Sequence, residues 1–320
     1  MDVLGDALLS LRIEANSISA GTFSEPWGIS IFRSRSEATL VHRIVDASCW
    51  LLSDKAPPTK LHSGDSVLVL RGVPYSLASS PDVPRLDFME FWQNLGVQRL
   101  GPQTKRVAPI QYQIGGPGAQ TRIVSFAYLL HDSLRNPLLS ALPEIIIVRA
   151  SASLAFPWLA GAMEFLAAEE TGNRPGYIAT ATRLAELVFT SLLRAHALSE
   201  TGKSANWLRG INDVRIGKVL EAIHTYPAKP WTTVTLAAVA KTSRATFSRQ
   251  FTTLVGQTPG SYLIAWRMKI AAELLLEESH SISSIAEKVG YRSEPAFREA
   301  FKKSFNLAPT HYAKRYKATL

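Results

Sequence analysis

At 320 residues, 46% of them apolar, the chain is long enough for about two domains with a core in each. Its single cysteine, Cys49, excludes an intrachain disulfide and a cysteine-rich zinc site. The net charge of +9 is unevenly placed: residues 212–320 carry 16 Lys/Arg against 8 Asp/Glu, while residues 1–211 are close to balance. A phosphate-binding surface confined to the second half requires that distribution.

The N-terminus, Met1-Asp-Val-Leu-Gly-Asp6, lacks the basic flank of a signal peptide, and no run of about eighteen apolar residues offers a membrane span. A cytoplasmic protein with no membrane partner is expected. Residues 2–12 set Val3, Leu4, Ala7, Leu8 and Leu11 at helical spacing. Short β-type runs follow at 29–32, 39–45, 49–52, 67–70, 123–130 and 144–148, punctuated by Gly, Pro and Asp. That rhythm predicts a small β-barrel or jelly roll. Within it Cys49, beside Trp50, reads as a buried small hydrophobe rather than a redox switch. Most of 81–121, with five prolines and the insert Leu86-Asp-Phe-Met-Glu-Phe-Trp92, reads as loop.

From Phe156 the period changes to helical, through 158–166 and 178–198. Leu184, Leu187, Val188, Ser191 and Leu192 form a stripe broader than a small barrel would cover. It either packs on the barrel or pairs with a second copy of the chain. Residues 200–205 read as a linker, and 207–224 as a helix leading onward.

One pattern then occurs twice. Leu236-Ala-Ala-Val-Ala240 precedes Phe247, Phe251, Gly256, Pro259 and Tyr262; Ile282-Ser-Ser-Ile-Ala286 precedes Phe297, Phe301, Asn306, Pro309 and Tyr312. Each copy is a short helix ending in a small residue, a tight turn, and a second helix with apolar teeth four apart. That is a helix-turn-helix, whose crossing needs a small residue where the helices touch. A single such unit would pass for an ordinary helical hairpin; two matched units do not. Residues 262–276 read as one linking helix of roughly 23–27 Å. With the half-widths of the flanking units it sets two recognition helices about 34 Å apart, one turn of DNA. In the first, Ser243 is a good N-cap. With Phe247 and Phe251 inward, Arg244, Ala245, Ser248 and Arg249 face out, and Arg249 is the candidate for bidentate guanine contact. The second exposes Ser293, Glu294, Ala296, Arg298 and Glu299, followed by Lys302 and Lys303. These lysines lie three and four residues beyond Glu299 and are its expected ion-pair partners.

The segment resembles the DNA-binding domain of the AraC family of bacterial transcription regulators. The resemblance rests on Trp231, the Leu-Ala-Ala-Val-Ala run, Ser243-Arg244, Phe251, Gly256, Pro259, Tyr262, Arg267, Ala272, Ile285-Ala286, Gly290-Tyr291, Ser293, Phe297, Phe301-Lys302-Lys303, Pro309 and Tyr312. It implies that Ala245, Ser248 and Arg249 stand where base-reading residues occur. The family usually has a basic residue where Glu299 stands. The front half resembles the cupin-type sensor of one branch of that family, through Pro26-Trp27, Cys49-Trp50-Leu51, Leu61, Gly64-Asp65, Leu68, Arg71-Gly72, Asn136-Pro137-Leu138, Leu142-Pro143, Trp207-Leu208 and Ile223-His224.

A cupin can also be a metal enzyme, and a metal-dependent cupin with appended DNA-binding helices is the rival expectation. Cupin enzymes hold metal through two or three histidines and a glutamate. Here Tyr75 occupies the second motif's histidine place, and of the first motif's His-x-His pair only His42 stands, with Leu40 at the other site. One imidazole does not make a divalent site. His62 and His131 read as turn or surface residues. Phe126 stands where related sensors place a cysteine, so oxidant sensing is not carried over. There is no Gly-x-Ser-x-Gly elbow, and Gly115-Gly-Pro-Gly118 lacks the lysine of a phosphate loop.

The expectation is thus an α+β protein without metal or cofactor: a cupin-like β-barrel sensor with flanking helices over 1–155, a helical dimerisation element and linker over 156–205, and an all-α twin helix-turn-helix domain over 206–320. Its partners would be double-stranded DNA, a small-molecule effector near His42, Trp50 and Tyr75, a second copy, and RNA polymerase if it activates. A regulator whose barrel only dimerises, without a ligand, is the third alternative.

Overall fold

A computed structural model describes residues 3–9, 11–32, 38–95, 109–131, 139, 142–153, 157–168, 175–199, 209–211, 213–277 and 280–317. The chain forms two compact units, one of Arg12–His131 with Pro143–Ser199, the other of Met1–Leu11, Asp132–Leu142 and Glu200–Leu320. The helical stretch expected to stand apart at 156–205 therefore belongs, as far as 199, with the strands. The expected linker and Trp207 lie outside the described residues.

The first unit is a two-sheet sandwich. Its strands are β1 (Arg12–Ser24), β2 (Gly28–Ile31), β3 (Ala38–Ile44), β4 (Ser48–Ser53), β5 (Ala56–His62), β6 (Ser66–Val69), β7 (Tyr75–Ala78), β8 (Leu86–Asp87), β9 (Ile110–Gly115), β10 (Gln120–His131) and β11 (Ile145–Val148). Six strands run in the order β11-β6-β3-β10-β1-β9 and five in the order β5-β4-β7-β2-β8. The expected barrel is not closed, because the edge strands of one sheet do not pair with those of the other. Between the sheets lies an apolar core fed from both: Phe23, Ile44, Val67, Ile114 and Ile123 from one, Ile29, Cys49, Leu51, Leu61 and Leu77 from the other. Strand alternation explains the division, since successive residues point to opposite faces.

The outer face of the six-stranded sheet is covered by helices. With α1 taken as Val3–Leu9 and α2 as Phe88–Asn94, these are α3 (Ala150–Ser153), α4 (Trp158–Ala168) and α5 (Tyr177–Leu198). Tyr128 Oη donates to Ala185 O at 2.9 Å, and its ring lies 5.0 Å from that of Phe189. Val188, Ser191 and Leu192 of the long stripe are buried here, Leu184 is half-buried, and Leu187 stays exposed. Packing on the sheet thus absorbs most of the stripe, which leaves Leu187 with Trp158 and Phe165 of α4 as exposed apolar side chains.

The stretch 81–121 is more regular than its prolines suggest. It holds β8, α2 and β9 and the start of β10. Asp87 caps α2 by accepting from the amides of Met89 and Glu90 at 2.8 and 3.3 Å. Phe88, Phe91 and Trp92 all lie within 5.7 Å of the Tyr112 ring, so α2 lays an aromatic cluster against the core.

In the second unit the helices are α6 (Ile216–Thr225), α7 (Thr233–Val239), α8 (Arg244–Val255), α9 (Pro259–Leu274), α10 (Ile282–Lys288), α11 (Glu294–Phe305) and α12 (Pro309–Lys317). Their ends follow the sequence closely. Thr232, Ser243, Thr258 and Ser281 each accept an amide hydrogen of the first turn. Pro259 sits in the first turn of α9. Gly256 and Asn306 close α8 and α11 in the left-handed conformation. The helix expected over 207–224 begins, among the described residues, as a short piece at 209–211 before α6.

Two cores share α9. Tyr262, Leu263 and Trp266 are buried with Leu236, Phe247, Phe251 and Ile223. Phe251 meets Tyr262 edge-on at 5.8 Å. The second core gathers Met268, Ala271, Ala272 and Leu275 with Ile285, Ala286, Phe297, Phe301, Phe305 and Tyr312. At 16 residues, α9 is a rod of about 24 Å joining the two.

Candidate nucleic-acid interface

Each core presents one helix outward. In α8, Phe247, Phe251 and Val255 repeat every four residues and are buried. The opposite face therefore carries Arg244, Ala245 and Arg249, all exposed, with Ser248 half-exposed. Among the described residues no ion pair engages Arg244 or Arg249, so both guanidinium groups keep their donors for a ligand. The crossing with α7 is tight because Ala240 is buried. Lys241 then turns through a positive φ of 51°, and Thr242 N donates back to Ala237 O at 3.1 Å.

The second unit repeats the plan with different chemistry. Phe297, Phe301 and Phe305 bury one face of α11, Ala286 fills the crossing, and Gly290 makes the turn at φ 82°. Ser293, Ala296, Glu299, Lys302 and Lys303 are exposed, and Glu294 and Arg298 are half-exposed. Glu294 and Arg298 are joined: Arg298 Nε and Nη2 both reach Glu294 Oε1 at 2.7 Å. The expected pairing of Glu299 with Lys302 or Lys303 is not formed among the described residues. An exposed pair at this spacing gains only a few tenths of a kcal/mol, too little to hold three solvated chains together.

Sequence reasoning missed the junction between the two units. Arg267, on α9 where its inward face passes from one core to the other, donates from Nε to Pro227 O and from Nη2 to Lys229 O, each at 2.8 Å. Its Cζ stands 5.9 Å from the Tyr291 ring centroid. Burial lowers the Arg267 pKa while the tyrosine beside it opposes the shift. The available signals were an arginine placed between apolar residues of a linking helix and its place among the residues that carry the resemblance; neither says what it holds.

In the sandwich, His42 and Tyr75 meet. His42 Nε2 hydrogen-bonds the Tyr75 hydroxyl, and Nδ1 lies 2.7 Å from Ser125 Oγ. Burial lowers the His42 pKa to about 4 and, with Tyr112 nearby, raises that of Tyr75. Trp50 does not join them. Its neighbours Cys49 and Leu51 point into the core, so alternation turns Trp50 to the other face of its sheet. Cys49 is buried as expected, and burial together with the Asp65 charge pushes its pKa up to about 12. Among the described residues no three His, Cys, Asp or Glu side chains cluster as metal ligands would. No helix among them is long and apolar enough to cross a membrane.

Comparison with known proteins agrees with this geometry. A family model described as Cupin matches residues 2–197, and one described as a helix-turn-helix domain matches residues 236–315. The HTH-type transcriptional regulator AlkR of Acinetobacter baylyi is 36% identical over 55% of this chain and 58% of its own length, so that match spans little more than half of the relative. An AraC-like transcription regulator of Streptomyces lividans is 28% identical over 98% of each chain. The RCS-specific HTH-type transcriptional activator RclR of Escherichia coli K12 is 32% identical over 61% of this chain and 68% of its own. With a Cupin match across more than half its length and the paired helix-turn-helix units behind it, the chain belongs to the AraC-type DNA-binding transcription regulators that carry a cupin-like N-terminal domain.

Proposed function

We propose that each protomer reads two successive major grooves on one face of DNA, α8 entering the first and α11 the second. The observation that carries this is the outward face of α8, where Arg244 and Arg249 are exposed, without an ion pair among the described residues, beside Ala245 and Ser248. Arg249 is the guanine reader and Arg244 a phosphate contact. On α11, Ser293, Ala296 and the Glu294–Arg298 pair face the bases, while Lys302 and Lys303 attract phosphate. Selection of tight binders from a random DNA pool tests this. A bipartite consensus with half-sites one turn apart supports it, and a single short motif contradicts it.

The front unit serves, in this reading, as a sensor whose small-molecule effector enters the sandwich beside His42 and Tyr75. Binding rather than catalysis fits that site, because both ring nitrogens of His42 already face hydroxyl groups. The protein works as a cytoplasmic homodimer, with exposed Trp158, Phe165 and Leu187 meeting the same face of a second copy. As an activator it would contact RNA polymerase. A melting-temperature rise with an effector, and a dimer in sedimentation, are the corresponding tests.

A further inference from the structure

The two reading helices are useful together only if their separation and twist match DNA. The rod α9 fixes the distance, but a helix shared end to end leaves each unit able to roll about it. Three elements meet where the rod passes from one core to the other. The loop entering the first helix-turn-helix is tightened by Trp231 Nε1 donating to Tyr226 O at 2.9 Å and by Lys229 Nζ lying 4.5 Å from the Trp231 ring. The turn of the second unit presses on that loop: a Cβ on Gly290 would stand 2.5 Å from Ala228 O and 2.8 Å from both Ala228 Cα and Arg267 Nη2. Arg267 holds the loop through two carbonyls on one side and lies against Tyr291 of the second unit on the other.

We propose that Arg267 is the positioning residue that locks the two helix-turn-helix units against each other, so that one protomer accepts two half-sites at a single separation. The proposal rests on the twin-groove reading above. Arg267 itself need touch no DNA. Its planar guanidinium suits the task, because two donors in a fixed fork hold two carbonyls while its Cζ stands 5.9 Å from the centroid of the Tyr291 ring. Lysine has neither the fork nor the face.

The test uses the full chain and duplexes whose two half-sites are moved apart or together by single base pairs. Each added pair rotates the second half-site by roughly 34° and moves it about 3.4 Å. Wild-type protein is expected to lose about tenfold or more in affinity for one added pair, comparable to a mismatched base. Arg267→Ala is expected to keep its affinity for a duplex with the first half-site alone and to flatten the spacing profile to within about threefold, well below the effect of one mismatch. Arg267→Lys should not restore the sharp profile. A purely structural arginine would instead lower affinity equally at every spacing, and that result, or an unchanged sharp profile in folded Arg267→Ala, overturns the proposal. Where circular dichroism shows Arg267→Ala unfolded, Tyr291→Leu decides: a flattened profile supports the lock, an unchanged one overturns it. Wild-type protein indifferent to spacing would sink the twin-groove reading itself, and the lock with it.

Discussion

Arg298 and Glu294 stand one turn apart on α11 and share a two-donor contact, Nε and Nη2 of the arginine both at 2.7 Å from Glu294 Oε1. The pair gives the second reading helix a different character from the first, whose Arg244 and Arg249 have no ion pair among the described residues. A guanidinium held along one edge keeps its remaining hydrogens aimed in one direction, which favours selection of a base over attraction to any phosphate. Glu294→Ala is therefore expected to loosen base preference at one position of the second half-site while raising affinity for unrelated DNA. Unaltered preference in a selection from random DNA would show the pair to be a surface ion pair without a reading role.

In the first unit, Arg249→Ala is expected to weaken specific binding by about 1–3 kcal/mol and to relax preference at one base position. Titrations against the preferred site and single-base variants measure both effects. A loss equal across all sequences would make Arg249 a phosphate anchor.

Glu299 is exposed and no ion pair restrains it among the described residues; with α11 in a groove, as proposed above, its charge would oppose the phosphates. Glu299→Ala is expected to strengthen non-specific binding and leave the preferred sequence unchanged. A changed base in the second half-site would mean that the carboxylate accepts from a cytosine amino group.

These helix faces were legible because each depends on a local repeat. Phe247/Phe251 and Phe297/Phe301 announce which side is buried, and Ala240 and Ala286 mark the crossings. Whatever depended on pairing between distant segments was not legible. The alternation that turns Trp50 away from His42 is visible only once Cys49 and Leu51 are known to point inward. The strand rhythm pointed to a small barrel or a jelly roll without separating closed from open, because closure is decided by edge strands, not by strand count. The helix α2 was hidden by the prolines on either side of it, although Asp87 followed by Glu90 three residues on is an N-terminal signal. Glu294 and Arg298 have the i, i+4 spacing of a helical pair, as do Glu299 and Lys303, and spacing alone does not say which of the two forms.

The sandwich core should be sensitive to acid through His42. Burial holds its pKa at about 4 against an ordinary 6.5. The unfolded chain therefore binds the proton first, and His42 costs nothing above about pH 6.5. As pH falls from 6.5 toward 4 it destabilises the fold progressively, by about 3 kcal/mol in full. Urea melts at several pH values should show this loss in wild-type protein and a shallower loss in His42→Gln. His196, whose pKa burial also lowers, accounts for part of the slope that remains. Equal slopes in the two proteins would contradict the assignment.

Residues 212–320 carry nearly all of the excess positive charge, so affinity should fall steeply with salt as condensed counterions are released from the phosphates. The most direct measurement is hydroxyl-radical footprinting of the full chain on its selected site at low salt. Two protected patches for each bound protomer, about one helical turn apart on the same face of the duplex, are expected. A single patch per protomer, with Arg249→Ala erasing it and Glu294→Ala without effect, would show that only the first helix-turn-helix reads DNA.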